Sequence, residues 1–266
     1  MLSYQIVRKL KNPWRVPDKL NWIMDSGSFS ELKLRGKYTY TPEEYLSKVE
    51  VWQPDYFVNM DYMCEPHQIK KTKLSVEEHQ KKTLENQIKL QDLLDDSWVG
   101  NYTKLIAVIQ GWEPNQYINH LDMLKEQGLI TEYMGVGSIC RRHAIKDILN
   151  VLYKVKKEIP RVKLHGFGVK LTILDYELAY RCLDSVDSMA WSFRGWKVLD
   201  NPIGEPLFGK PCPFHEWKKC TSRADDCAAC PRYMNYWLDR NLKLISKRGG
   251  QTFLPDMLEP LEVIEK

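Results

Sequence analysis

The chain has no apolar run approaching the ~20 residues needed to cross a bilayer. Its start, Met1-Leu2-Ser3-Tyr4-Gln5, lacks the apolar core of a secretory signal. These absences lead to the expectation of a soluble cytoplasmic protein (in the host cytoplasm, for a phage-encoded chain) with no membrane partner. Phosphate-cradling glycine loops are missing too. Gly135-Val136-Gly137 has neither the third glycine nor the spacing of a dinucleotide fingerprint. Strong charge of either sign is also absent. The formal net charge of +4 permits a polyanionic partner without requiring one. What remains is an ordinary globular composition, 43% hydrophobic and 28% charged, in a 266-residue chain. That length suffices for one large domain or two small ones.

Cysteine is scarce over most of the chain and then crowded. Cys64, Cys140 and Cys182 stand alone, whereas Cys212, Cys220, Cys227 and Cys230 share one short segment. In a cytoplasmic chain such a cluster reads as metal-binding rather than disulfide-bonded. Cys227-Ala228-Ala229-Cys230 is a chelating CxxC pair, and four thiolates suit a closed tetrahedral structural zinc. An iron–sulfur cluster uses the same donors, and His215 is an alternative fourth ligand. The segment follows the loop Asn201-Pro202-Ile203-Gly204-Glu205-Pro206 and precedes a helix expected from about Arg232 to Ile245. This predicts a core of 1–200 and a metal-stapled segment of 201–266, its helix packing back onto the core.

The core alternates between two periods. Short apolar runs end in a polar residue or glycine: Trp22–Met24 at Asp25, Asp55–Met60 at Asp61, Lys104–Ile109 at Gln110. Glu132–Met134 runs into Gly135, Val162–His165 into Gly166, and Val186 into Asp187. Between them lie helical stretches. Thr41-Pro42-Glu43-Glu44 and Ser75-Val76-Glu77-Glu78 each spell a capping box, the second opening a helix to about Asp95. Further helices are expected from about Pro114 to Gly128, from Arg142 to Glu158 and from Tyr176 to Leu183. Tyr4–Val7 reads as a short strand. Strand–helix alternation requires parallel strands with crossover helices. The expectation is a (β/α)8 TIM-type barrel, irregular at an end, with an open doubly wound sheet as the alternative. Both place chemistry at the carboxyl ends of the strands, where Asp25, Asp61, Gln110, Gly135, His165 and Asp187 fall.

These strand ends carry a resemblance. Met24-Asp25-Ser26-Gly27-Ser28-Phe29-Ser30 resembles the DSGGFQ motif of the tRNA-guanine transglycosylase superfamily. Asn59-Met60-Asp61 with Glu65-Pro66 resembles its FDECPP stretch, and Val108-Ile109-Gln110-Gly111 its VQGG. Met134-Gly135-Val136-Gly137 falls at its Gly-rich base-binding loop. Leu164-His165-Gly166-Phe167-Gly168 resembles its LMGVG, and Val186-Asp187-Ser188-Met189-Ala190 the FDSA of its archaeal branch. The motifs run in family order from about residue 22 to 191. The branch they resemble most is the deazapurine DNA-modification transglycosylases of phages and bacteria. Ser28 and Ser30 replace a Gly and a Gln of the first motif, and His165 replaces a Met. The superfamily's CxCxxC zinc spacing is absent.

The resemblance implies exchange of guanine in DNA for a free 7-deazaguanine base, such as 7-cyano-7-deazaguanine. Asp187 would be the nucleophile and Asp25 the acid/base, a division familiar from retaining glycosidases. Asp61 and Gln110 would hold the guanine edge, the backbone of Gly135 to Gly137 the substituent at position 7, and Phe29 and His165 the faces of the base. Arg141, Arg142 and Lys170 would meet phosphates if they rim the cleft, whereas His120 and His143 read as surface residues. A homodimer stays open. The alternatives are a tRNA-acting transglycosylase, a hydrolytic glycosidase using the same carboxylates, and a non-catalytic zinc-containing nucleic-acid-binding module. Converging carboxylates argue against the last, because each repels phosphate.

Overall fold

A computed structural model describes residues 1–13, 21–142, 144–188 and 231–248. Seven parallel strands form one sheet in strictly sequential order. They are β1 Leu2–Ser3, β2 Ile23–Asp25, β3 Tyr56–Val58, β4 Lys104–Ile109, β5 Tyr133–Val136, β6 Lys163–Gly166 and β7 Ser185–Val186. The helices are α1 Tyr4–Val7, α2 Ser28–Arg35, α3 Pro42–Trp52, α4 Pro66–Thr72, α5 Val76–Asp95, α6 Pro114–Glu126, α7 Ile145–Glu158, α8 Glu177–Cys182 and α9 Pro231–Arg248. An open doubly wound sheet needs a point where strand order reverses. The order β1 to β7 has no reversal, so successive right-handed crossovers keep the helices on one face and the sheet curls around the other.

Period-2 alternation sorts each strand between these faces. Met24, Phe57, Ala107, Ile109, Met134, Val136 and Leu164 point out into two apolar clusters shared with the helices. Ile23, Tyr56, Val58, Ile106, Val108 and Tyr133 belong to a smaller cluster inside the curl. Continuing the inner parity along each strand reaches Asp25, Gln110, Gly137, His165 and Asp187. The apolar filling and the site residues are therefore one set of positions, the latter at the strands' carboxyl ends. In α7, Ile148, Leu149 and Leu152 are buried and Ile145 packs against the same cluster, as their spacing requires.

Both expected capping boxes are present. Thr41 and Ser75 accept the backbone N–H of Glu44 and Glu78, whose carboxylates accept N–H bonds from Thr41 and Ser75 in return. Two aspartates tie strand starts together: Trp22 N–H donates to Asp55 Oδ2 at 2.8 Å and Leu164 N–H to Asp184 Oδ2 at 2.9 Å.

Tyr4–Val7 is a helical turn, not a strand. Ser3 caps it by accepting from Gln5 N–H, and Tyr4 and Val7, three residues apart, are its buried side chains. The strand is the preceding pair, Leu2–Ser3, which registers Ser3 against Asp25. Helix α7 starts at Ile145 rather than Arg142. Helix α9 covers the expected C-terminal helix, and its backbone runs beside the 3-10 turn Leu171–Asp175. The expected cysteine segment, with Cys212, Cys220, Cys227 and Cys230, lies outside the described residues, as does His143.

Candidate active site

Asp25 closes β2, and the chain then turns at Gly27 with φ of +78°. A side chain there would be strained and would meet Gln5 Cγ at 2.9 Å. The turn lets Gly27 N–H donate to Asp25 Oδ2 at 3.0 Å and starts α2, carrying Ser28 and Phe29 to the rim. Three tyrosines hold this loop and the turn after β3 from behind. Tyr45 donates to Met24 O at 3.0 Å, Tyr38 to Asp61 O at 2.8 Å, and Tyr40 to Ser26 O. Their rings pack against one another. Nothing in the spacing of these aromatics distinguished a carbonyl-holding role from plain core.

Asp61 leaves the strand parity by a tight turn, its N–H donating to Asn59 O at 3.0 Å. That sends Met60 into the outer core and Asp61 inward, 6% exposed. Gln110 is fully buried, and its side-chain amide is oriented at both ends: Nε2 donates to Asp61 Oδ2, while Oε1 accepts from Ser138 Oγ at 2.7 Å. The Gln110 main chain is fixed too, its N–H donating to His120 Nδ1 at 2.9 Å and its carbonyl accepting from Gln80 at 2.7 Å. His120 is thus a fully buried strut under the site, not a surface residue, and burial pushes it down to about 4. Ser138 adopts a left-handed φ of +53°, accepts Cys64 N–H at 2.8 Å and lies 3.2 Å from buried Glu65. Sequence reasoning missed Ser138; its only signal was its place after Gly137.

Gly135 and Gly137 matter for close approach. A Cβ on Gly135 would lie 2.1 Å from the Phe167 ring, and one on Gly137 would lie 2.2 Å from Gln110 Nε2. In this state the space above both is therefore filled by side chains of the site itself.

His165 and Asp187 come from neighbouring strands. His165 Nε2 is 3.2 Å from Asp187 Oδ1, which also accepts Gly168 N–H at 2.8 Å. Asp187 remains part-exposed, with its side chain 24% accessible against 3% for His165. Phe29 is 39% exposed, and among the described residues the ring contacts of His165 are with Tyr133 and Phe167 rather than with Phe29. The Phe29 ring carries Lys33 Nζ at 5.4 Å and Arg141 Cζ at 5.9 Å. Arg141 donates to His67 Nε2 at 2.9 Å. Arg142 does not join this rim. It is 7% exposed, stacks over Trp112 at 4.4 Å and donates to Trp112 O and Tyr117 OH, so its role is structural.

The electrostatics follow from burial. Burial pushes the Asp25 carboxyl up to about 6. Gly27 N–H pulls against this, and the nearby Asp187 charge adds to the rise. Burial pushes Asp61 up to about 7, opposed by hydrogen bonds from Ser28 and Gln110 and reinforced by Asp25. Among the described residues no Lys or Arg pairs with Asp25, Asp61 or Asp187. A separate pocket of about 530 Å³, lined by Tyr56, Thr103, Lys104 and Glu132 among others, opens at the amino ends of the strands, the face that reads as stability in such folds.

A family model described as DpdA, DeoxyPurine in DNA protein A, matches residues 2–237. The chain belongs to the DpdA family. Membership implies modification of purines in DNA, and it agrees with the branch that the strand-end motifs resemble. No curated protein matches the chain. Among the described residues no helix is long and apolar enough to cross a membrane.

The raised Asp61 carboxyl generates a stability prediction. Well below pH 3.8 the group is protonated in both folded and unfolded chains and costs nothing. As pH rises from 3.8 towards 7 the unfolded chain releases its proton first, so the folded state loses stability. The full cost, on the order of 4 kcal/mol, is present above pH 7. Asp61→Asn removes the ionisable group. Its stability advantage over the parent in urea unfolding should widen from pH 5 to pH 8; an advantage that is the same at both would contradict the burial account.

Proposed function

We propose that the chain exchanges guanine in DNA for a 7-deazaguanine base through a covalent intermediate on Asp187. One observation carries this reading. Two carboxyls, Asp25 and Asp187, face one mouth closely enough for the Asp187 charge to raise the Asp25 carboxyl, and no Lys or Arg pairs with either among the described residues. Displacement at an anomeric carbon by two carboxyl groups uses this arrangement. Asp187 attacks C1′, the C1′–N9 bond breaks, and the departing guanine takes a proton from Asp25. The incoming base returns a proton to Asp25, its N9 attacks C1′, and the Asp187 carboxylate is released. Protons and electrons balance, and two displacements retain configuration. A group held near 6 suits proton transfer in both directions near neutral pH.

Recognition follows from the same set. The Asp61 carboxyl and the Gln110 amide offer acceptors and donors to a guanine edge. Phe29 presents an aromatic face at the rim, and Lys33 and Arg141 beside it suit a phosphate path next to an extruded nucleotide. DNA and the free base are then the partners. The reading extends to an eighth strand closing the (β/α)8 barrel, to the division of the chain at about residue 200, and to a cytoplasmic location. It also includes one structural zinc on Cys212, Cys220, Cys227 and Cys230. Four thiolates fit zinc by donor type, and the metal takes no part in the exchange.

Two measurements test this reading. A DNA duplex labelled on its backbone end and mixed with the protein should give a denaturation-resistant labelled adduct, and Asp187→Asn should give none while retaining base binding. An adduct that survives Asp187→Asn but vanishes in Asp25→Asn would exchange the two roles. Elemental analysis should find about one zinc per chain, with structural metal contributing on the order of 10 kcal/mol to folding. Iron, or a folded metal-free protein, would overturn the zinc assignment.

A further inference from the structure

Behind Asp187 runs a line of polar groups that the exchange reaction does not itself require. Tyr133 OH meets Ser185 Oγ, Ser185 Oγ lies 2.5 Å from His165 Nδ1, and His165 Nε2 lies 3.2 Å from Asp187 Oδ1. Tyr133, His165 and Ser185 sit on adjacent strands of inner parity, β5, β6 and β7, with His165 registered opposite Ser185 and Asp187 just past the end of β7. The imidazole is clamped, its ring edge-on to Phe167 at 4.6 Å and to Tyr133 at 6.3 Å.

The direction of the line can be read from its donors. The Asp187 carboxylate only accepts, so the nitrogen facing it must carry the proton. His165 is then the Nε2–H tautomer, and Nδ1 is an acceptor. Ser185 has one proton and gives it to Nδ1, which leaves its oxygen to accept from Tyr133. Each group donates towards Asp187, and no donor is left unused.

We propose that His165 is a positioning residue for the attacking carboxylate, its Nε2–H set by Asp187 itself and its Nδ1 braced by the Ser185 and Tyr133 hydroxyls. This rests on the reading of Asp187 as the nucleophile. His165 and the Gly168 N–H both occupy Oδ1, and among the described residues no donor reaches Oδ2. Oδ1 is thereby the anchored oxygen and Oδ2 the reacting one. When Oδ2 bonds to C1′, Oδ1 becomes the ester carbonyl. When the second base displaces the ester, charge returns to the carboxylate while two N–H donors already face it. Preplaced donors act where charge develops, without reorganisation. The other charged group facing the imidazole is Asp25, across the mouth.

The test has a spectroscopic arm and a kinetic arm. The ¹⁵N spectrum of the His165 ring in the full chain should show a protonated Nε2 and a bare Nδ1 at neutral pH. Ser185→Ala should leave Nε2 protonated and move the Nδ1 resonance, because the bare nitrogen loses its donor. A protonated Nδ1 in the parent, or an unmoved Nδ1 resonance in Ser185→Ala, overturns the proposal whether or not the chain exchanges bases. In single-turnover adduct formation, His165→Ala should be slower by about a hundredfold, the scale set by misplacing a reacting group. His165→Gln, which restores an N–H near the Nε2 position, should recover to within about tenfold of the parent. Parental speed in His165→Ala, or no recovery in His165→Gln, overturns it. Absence of any adduct in the parent would count against Asp187 as nucleophile, and the spectrum would still decide the tautomer.

Discussion

The structure depends on carrying several carboxyl groups into the mouth of a curled sheet with no Lys or Arg paired to them among the described residues. Burial raises Asp25 and Asp61 towards neutrality, the Asp187 charge adds to the rise at Asp25, and Asp25 adds to that at Asp61. Such groups destabilise a fold unless the surroundings fix them. Much of the local architecture serves that end. Gly27 and Gly168 offer backbone N–H groups, Gln110 and Ser138 share a hydrogen-bonded chain with Asp61, and three tyrosines tether the carbonyls of Met24, Ser26 and Asp61. The strain is local and the core around it is ordinary, two apolar clusters outside the sheet and one within.

That distribution explains what could be read from the sequence. The placement of Asp25, Gln110, His165 and Asp187 at strand ends was legible because strand parity and strand ends are local properties, visible in a dozen residues. The capping boxes at Thr41 and Ser75 were legible for the same reason. His120, Arg142 and Ser138 were not, because each is defined by a partner far along the chain. A histidine on a helix looks solvated until the Gln110 backbone is found donating to it, and Arg142 looks like a phosphate ligand until Trp112 covers it. Tyr4–Val7 failed differently. Its residues suit a strand, and a single serine hydroxyl one residue earlier converts them to a helical turn.

The family relation and the site point in one direction. A purine in DNA is stacked, and an enzyme acting on its glycosidic bond must bring the nucleotide out, at a cost of a few kcal/mol. The rim has the features such a step needs: an exposed aromatic ring at Phe29 and cations at Lys33 and Arg141, placed beside a mouth whose interior is acidic. On the proposed reading, separation of charge by depth would let one cleft attract a phosphate backbone at its edge and keep carboxyls for chemistry within. A module that only bound nucleic acid would have no use for the acidic interior.

The most direct test is chemical analysis of the polymer. Duplex DNA and a tRNA transcript would be incubated together with the protein and a 7-deazaguanine base, then digested to nucleosides and resolved by mass. The account predicts a 7-deazaguanine deoxynucleoside from the DNA, formed in step with released guanine. Deazaguanosine from the tRNA alone, or guanine released with no base inserted, would contradict it.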